Sequence, residues 1–301
     1  MEEEHRAPAP GGRQYPYIGA TRPGRGRTAN GDRIMIAGSV LSEGELSGAG
    51  AGVLTALVCD GVGSCPGGEA AAELAAGYFA SLPGDSSLFE IVSRTLRLGD
   101  VMRSSPERMA AAFSGLQLIG ERFIAFNLGD VRVYRCGENG LRLLSSDHTR
   151  ALRPEDAAGV LTRYLGQGQA AVPSVRVGTV DGGDRFFLLC SDGVYRGTGE
   201  RALTRIVAGP YSLGEKKRAI LNLAVQNGSR DDLSVVLIAC GAFAAGTGET
   251  RKNHSPSAKD TRSTSLNSSA GSSALGSPTR PAARSKAATD LRIRQSKGSA
   301  G

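Results

Sequence analysis

The chain has 301 residues, with 36 Lys and Arg against 29 Asp and Glu, a net charge of +7, three His and five Cys. From residue 246 on there are 10 Lys and Arg against 3 Asp and Glu, so residues 1–245 hold 26 of each and the basic character belongs to the tail. Five scattered cysteines without Cys-x-x-Cys spacing exclude a disulfide scaffold and suggest a reducing cytoplasm, and no signal peptide or run of 18 apolar residues predicts a membrane span.

Residues 1–12 are expected to be a mobile N-terminus. Strands are expected over 33–40, 53–59, 114–119, 122–128, 131–136, 141–144, 185–191 and 233–240, where β-branched and large apolar residues run together. Helices are expected over 67–81, 86–103, 200–208 and 214–227. In the first, Ala70, Leu74 and Tyr78 recur every four residues, as do Leu88, Val92 and Leu96 in the second, giving each an apolar face for a sheet. Residues 150–182, with Gly166, Gly168 and Pro173, predict a loop holding at most one helix, and substrate choice is expected to reside there. Beyond about Gly246 the chain is depleted in large apolar residues and rich in Ser, Thr, Ala, Lys and Arg, which cannot bury enough surface to fold. The expected organisation is therefore one folded domain over 13–245 and a disordered basic Ser/Thr-rich tail over 246–301. That tail could contact an acidic partner, but it has no aromatics for base stacking and no apolar face for a membrane.

Acids cluster at strand ends. Val53–Cys59 delivers Asp60-Gly61, Phe123–Leu128 leads into Gly129-Asp130, Phe186–Ser191 delivers Asp192-Gly193, and Asp231-Asp232 opens Leu233–Ile238. Asp-Gly and Gly-Asp are also ordinary turn dipeptides. Four such pairs beside apolar strands nevertheless point to convergence, because a carboxylate in an apolar strand is costly unless it is paired or bound to a cation. A following glycine lets the backbone approach a ligand closely. Oxygen-only ligands favour a hard divalent ion, Mn²⁺ or Mg²⁺, over zinc.

These blocks resemble those of the metal-dependent protein phosphatases of type 2C, the PPM family, and its compact bacterial members. Five segments carry the resemblance in order over about residues 13–241: Arg27-Thr28-Ala29-Asn30-Gly31-Asp32, Asp60 through Glu69, Asn127 through Tyr134, Leu189 through Val194, and Ser229 through Val236. The resemblance implies an α+β fold, an αββα four-layer sandwich of two mostly antiparallel sheets flanked by helices. It implies that Asp60 bridges two metals, that Asp192 and Asp231 complete one of them, that Gly61 offers its carbonyl, and that Asp32 remains in the metal-binding set from the first block. Asp130 corresponds to a residue of a weaker third metal site, and Arg27 to the arginine that contacts phosphate. Two ions about 3.5–4 Å apart, sharing a carboxylate and a water, would provide hydroxide for attack on phosphoserine or phosphothreonine.

The chain departs from the family pattern at several positions. Gly31 stands where a Glu or Gln is usual, Ser64 and Cys65 replace Gly-His, Val131 replaces Ser, Asp232 replaces Asn, and Ala111-Ala112-Phe113 falls at a Gly-Thr-Thr stretch. No His is left there as a general acid, and the second metal is expected to be weaker. Of the five cysteines, Cys65 alone is expected beside the metals. His148 reads as a structural hydrogen-bonding residue. The expected function is a monomeric cytoplasmic serine/threonine protein phosphatase that opposes a Hanks-type kinase by acting on its phosphorylated protein targets. The alternative is a pseudophosphatase that binds phosphoproteins as a scaffold with little turnover.

Overall fold

In the computed structural model the described residues are 13–138, 140–151 and 159–240. The chain divides into two units, Met1–Gly248 and Glu249–Gly301. The expected tail over 246–301 and the N-terminal stretch 1–12 lie outside the described residues.

In chain order the strands are β1 (Gln14–Arg22), β2 (Asp32–Ile36), β3 (Ser39–Leu41), β4 (Gly44–Ala51), β5 (Val53–Gly61), β6 (Ala111–Ile119), β7 (Arg122–Leu128), β8 (Arg132–Gly137), β9 (Gly140–Leu143), β10 (Thr149–Arg150), β11 (Val160–Leu161), β12 (Ser174–Thr179), β13 (Asp184–Cys190) and β14 (Leu233–Ala239). The helices are α1 (Gly68–Ala80), α2 (Leu88–Ser104), α3 (Asp192–Thr198), α4 (Glu200–Ala208) and α5 (Leu213–Gln226). One six-stranded sheet runs β4-β1-β14-β13-β8-β9 and the other β12-β7-β6-β5-β2-β3, while β10 and β11 form a separate two-stranded ribbon. Neighbouring strands pair antiparallel throughout.

Three buried clusters define four layers. Ile34, Val58, Leu116, Val133, Leu189 and Val236 fill the space between the sheets. Leu57, Phe113 and Phe126 meet α1 and α2 on one outer face, and Leu188, Leu237 and Cys190 meet α3, α4 and α5 on the other. Central strands are covered on both sides, which is why β5, β13 and β14 are nearly continuous apolar runs rather than alternating ones. The expected αββα sandwich is the observed fold.

The helix faces differ in part from the expected ones: Leu74 and Tyr78 pack against the core cluster on that side as expected, but the fully buried stripe is another. α1 buries Ala71, Ala72, Ala75, Ala76 and Phe79, and α2 buries Ile91, Thr95, Leu98 and Met102, whereas Ala70 is exposed and Leu88 is 42% exposed. Alanines let α1 approach its sheet closely, and Phe79 then stacks with Phe113 and Phe126 at 5.4 and 5.6 Å between ring centroids. The single strand expected over 33–40 is a hairpin. Ala37 and Gly38 both take positive φ, 50° and 81°, which turns the chain in two residues between β2 and β3. In the segment expected to be a loop with at most one helix, the described residues form β11 and β12 and no helix; residues 152–158 lie outside the described residues.

Candidate metal centre

Strand pairing gathers the acids at one end of the sandwich. In the β2–β5 register Asp32 lies directly opposite Asp60, and on the other side of β5 Asp60 faces Ala112, whose small side chain leaves room above the carboxylate. Like charges directly opposite on neighbouring strands are destabilising without a counter-ion. The second sheet supplies the others. Because β13 and β14 run antiparallel, the end of one, leading into Asp192, adjoins the start of the other, led by Asp231-Asp232. Asp130 stands on the link from β7 in one sheet to β8 in the other, where Gly129 takes a φ of 105°.

Two glycines are required by this crowding. A Cβ on Gly193 would lie 2.3 Å from the Asp232 carbonyl and 3.0 Å from the Asp231 Cβ. One on Gly61 would lie 2.3 Å from the Gly68 carbonyl. Arg27, Asp60, Gly61, Asp130, Asp192 and Asp231 line a cleft of about 140 Å³. Asp32 is not in its wall but lies behind, only 1% exposed.

The electrostatics show acid in excess. Burial pushes the Asp32 carboxyl up to about 7, against the pull of the Ser234 and Ser191 hydroxyls. Burial raises Asp60 well above the carboxylate range, and the charges of Asp32, Asp192, Asp231 and Asp130 add to it. Asp192 is pushed up to about 6, burial outweighing the Arg196 guanidinium, and Asp130 is raised for the same reason. Asp32 Oδ2 and Asp192 Oδ1 are buried without any hydrogen-bond partner. Orphaned carboxylate oxygens in a raised-pKa cluster fit a hard divalent cation, which would satisfy them and restore their ordinary acidity. Among the described residues, however, no three His, Cys, Asp or Glu side chains already converge as a metal-holding group. Arginines are interposed instead. Arg27 donates to Asp231 and, at 3.0 Å, to Asp232 Oδ2; Arg196 bridges Asp130 and Asp192.

Two of these side chains change the reading of the sequence. Asp232 neither faces water nor lines the cleft. It is 2% exposed, and its carboxylate accepts from Gly24 N–H at 2.8 Å, Gly31 N–H at 2.7 Å and Arg27 at 3.0 Å. A Cβ on Gly31 would sit 3.1 Å from Asp232 Oδ2, so the Asp232 carboxylate occupies the space that a side chain at position 31 would enter. Arg196 escaped the sequence reading, although its place four residues after Asp192 puts both on one helix face.

Several residues outside the cleft serve structure. His148 is structural as expected: Nδ1 accepts from Gly129 N–H at 3.0 Å, Nε2 pairs with Ser174 Oγ at 2.8 Å, and burial lowers its pKa to about 4. Val131 is buried between the sheets. Cys65 lines a larger neighbouring cleft of about 810 Å³ with Met102, Arg108 and Tyr164, and its thiol donates to the Arg108 carbonyl at 2.8 Å.

No family model matches the chain. A putative protein phosphatase 2C-type of Streptococcus pyogenes serotype M6 is 25% identical over 166 residues, 50% of this chain and 67% of that protein. Probable protein phosphatase 2C 74 of Oryza sativa subsp. japonica is 29% identical over 157 residues, 43% of this chain and only 39% of that protein. Among solved structures, the serine/threonine phosphatase Stp1 from Staphylococcus aureus superposes with a TM-score of 0.64 at 18% identity, covering 79% of this chain and 99% of that one. The catalytic domain of the serine threonine protein phosphatase PstP, in complex with 2 manganese ions, superposes at 0.60 and 21% identity over 75% of this chain and 98% of that one. The two-sheet sandwich is the fold of these solved phosphatase structures. In sequence the chain is similar, at 25–29% identity over about half its length or less, to proteins of the 2C phosphatase type.

Proposed function

We propose that residues 13–245 form the catalytic domain of a serine/threonine protein phosphatase that uses two divalent ions, Mn²⁺ or Mg²⁺. The observation that carries this reading is the gathering of Asp32, Asp60, Asp130, Asp192 and Asp231 from both sheets at one end of the sandwich, short of a preformed metal-holding group among the described residues, with two of their oxygens buried and unpartnered. Asp60, Asp192, Asp231 and the Gly61 carbonyl would hold the ions, with Asp32 behind them. When bound, the ions neutralise phosphoryl oxygens and acidify a water for in-line attack. Arg27, more than a third exposed at the mouth of the cleft, turns its planar guanidinium to the transferring phosphoryl group, and Asp232 beneath holds it in place. His148 is tied to Gly129 and Ser174, so it does not serve as the acid that protonates the leaving serine or threonine oxygen. The larger cleft adjoins the acidic one through Val62 and Leu161 and has room for residues flanking the phosphorylated side chain. The natural substrates would be phosphorylated proteins, supplied by a kinase acting on Ser or Thr.

The supporting comparison is the fold shared with PstP, whose structure holds two manganese ions. No helix among the described residues is long and apolar enough to cross a membrane. The test is incubation with a phosphothreonine peptide and Mn²⁺: released phosphate is the expected result, and peptide retention by folded protein without release would favour the phosphoprotein-binding scaffold that Gly31 and Cys65 suggest.

A further inference from the structure

Arg196 sits among acids. Helix α3 carries it one turn beyond Asp192, where one N–H donates to Asp192 Oδ2 at 2.5 Å and another to Asp130 Oδ2 at 2.9 Å. One planar fork therefore ties the link between the two sheets to the start of α3, and it neutralises two acids that are each only 8% exposed. The guanidinium is positioned from its flank by the Tyr195 ring, 5.6 Å away, over which Arg132 also lies at 3.9 Å; Arg132 is in turn paired with Asp147 and Glu200. Asp192 thus spends one oxygen on a fixed protein cation, while its other oxygen is buried and unpartnered.

We propose that Arg196 is a built-in counter-ion that occupies the place of a third metal between Asp130 and Asp192, leaving the free oxygen of Asp192 to the two-ion site. The inference rests on the metal reading above and narrows it. Arginine stays charged at any pH the protein meets, so a divalent ion entering between these acids would have to displace the guanidinium or share two carboxylates with it. Asp130 is then a structural anchor rather than a ligand. Substituting Arg196 without its charge exposes an uncompensated pair of buried acids, and the pair becomes a cation site.

The experiment counts ions. Full-length wild type, Arg196→Gln and the remote net-charge control Arg122→Gln are stripped of metal and titrated with Mn²⁺, free ion being followed by electron paramagnetic resonance, with thermal unfolding in parallel. Wild type and control are expected to bind two ions. Arg196→Gln is expected to bind a third, or to bind its ions about tenfold tighter, a change of about 1.4 kcal/mol, and to lose thermal stability that Mn²⁺ restores. Equal count and affinity in wild type and Arg196→Gln would overturn the role of Arg196 while leaving two ions standing; no binding by any of the three would overturn both. Should Arg196→Gln not fold, Arg196→Lys keeps the charge but cannot fork across both acids. It is expected to admit a weak third ion, and a titration identical to wild type would count against the proposal.

Discussion

Asp232→Asn is a sharp test of how the cleft is held together. The carboxylate presents Oδ1 to Gly24 N–H and Oδ2 to both Gly31 N–H and Arg27, in a site only 2% exposed. Asparagine has nearly the same shape but one acceptor oxygen and an NH₂ group. Whichever way the amide is turned, it aims a donor at a donor: at Gly24 in one orientation, at Gly31 and Arg27 in the other. An unsatisfied buried donor costs about 1–3 kcal/mol, and the remaining bonds lose their charge assistance. We expect a total near 3 kcal/mol, which for a domain of this size lowers Tm on the order of 6–12 °C. The chain has no Trp, so unfolding is best followed by far-UV circular dichroism, in chelator and with heat and urea as independent perturbants. Stability within about 0.5 kcal/mol of wild type, the range of an ordinary surface change, would refute the claim that Asp232 organises residues 24–31.

Three further outcomes follow from the same geometry. Gly31→Glu brings a second carboxylate against Asp232 and should destabilise the metal-free protein, whereas Gly31→Glu with Asp232→Asn should recover more than the single effects add up to; strict additivity in this cycle would contradict the sharing of one space by the two positions. Asp32 and Asp192 are raised to about 7 and about 6, so the folded metal-free protein holds their protons more tightly than the unfolded chain; the stability this gives is complete below about pH 4 and is lost as pH climbs through 6 and 7. The rise in Tm on adding Mn²⁺ should therefore grow between pH 5 and 8, and a rise independent of pH would tell against the cluster. Phe79→Ala should cost about 3–5 kcal/mol by opening a void against Phe113 and Phe126, measured by urea unfolding; a loss below 1 kcal/mol would mean that α1 is not packed on its sheet through this ring.

Burial on two sides made much of the fold legible. Strands β5, β7, β13 and β14 are dense apolar runs, and each was expected within about two residues of its observed ends. β1 was not seen, because Pro16 and Gly19 interrupt its pattern. A Cβ at Gly19 would lie 2.6 Å from the Cδ1 tip of Ile36 in the facing sheet, which would have to shift. β4, with the sequence GELSGAGA, lies at a sheet edge and is mostly exposed, so it has no hydrophobic signature. The buried stripe of α1 is mainly small residues with little hydrophobic contrast, which leaves Leu74 and Tyr78 as its legible apolar positions and hides the alanines. At the site, aspartates beside glycines at strand ends were readable from position alone. Asp232 and Arg196 were not, because their roles depend on which partners the two sheets bring to them, Gly24 and Gly31 in one case and Asp130 in the other.

The central claim is that this acidic end holds metal and, with it, hydrolyses phosphoserine or phosphothreonine. The most direct measurement is phosphate release from a phosphothreonine peptide across a Mn²⁺ titration, with wild type, Asp192→Asn and a chelated control side by side, each shown to be folded by circular dichroism. Release that saturates with Mn²⁺, stops with chelator and falls at least a hundredfold in Asp192→Asn is the predicted result, a barrier change of about 2.7 kcal/mol or more. Folded wild type that releases no phosphate at millimolar Mn²⁺, or release untouched by chelator and by Asp192→Asn, would contradict it.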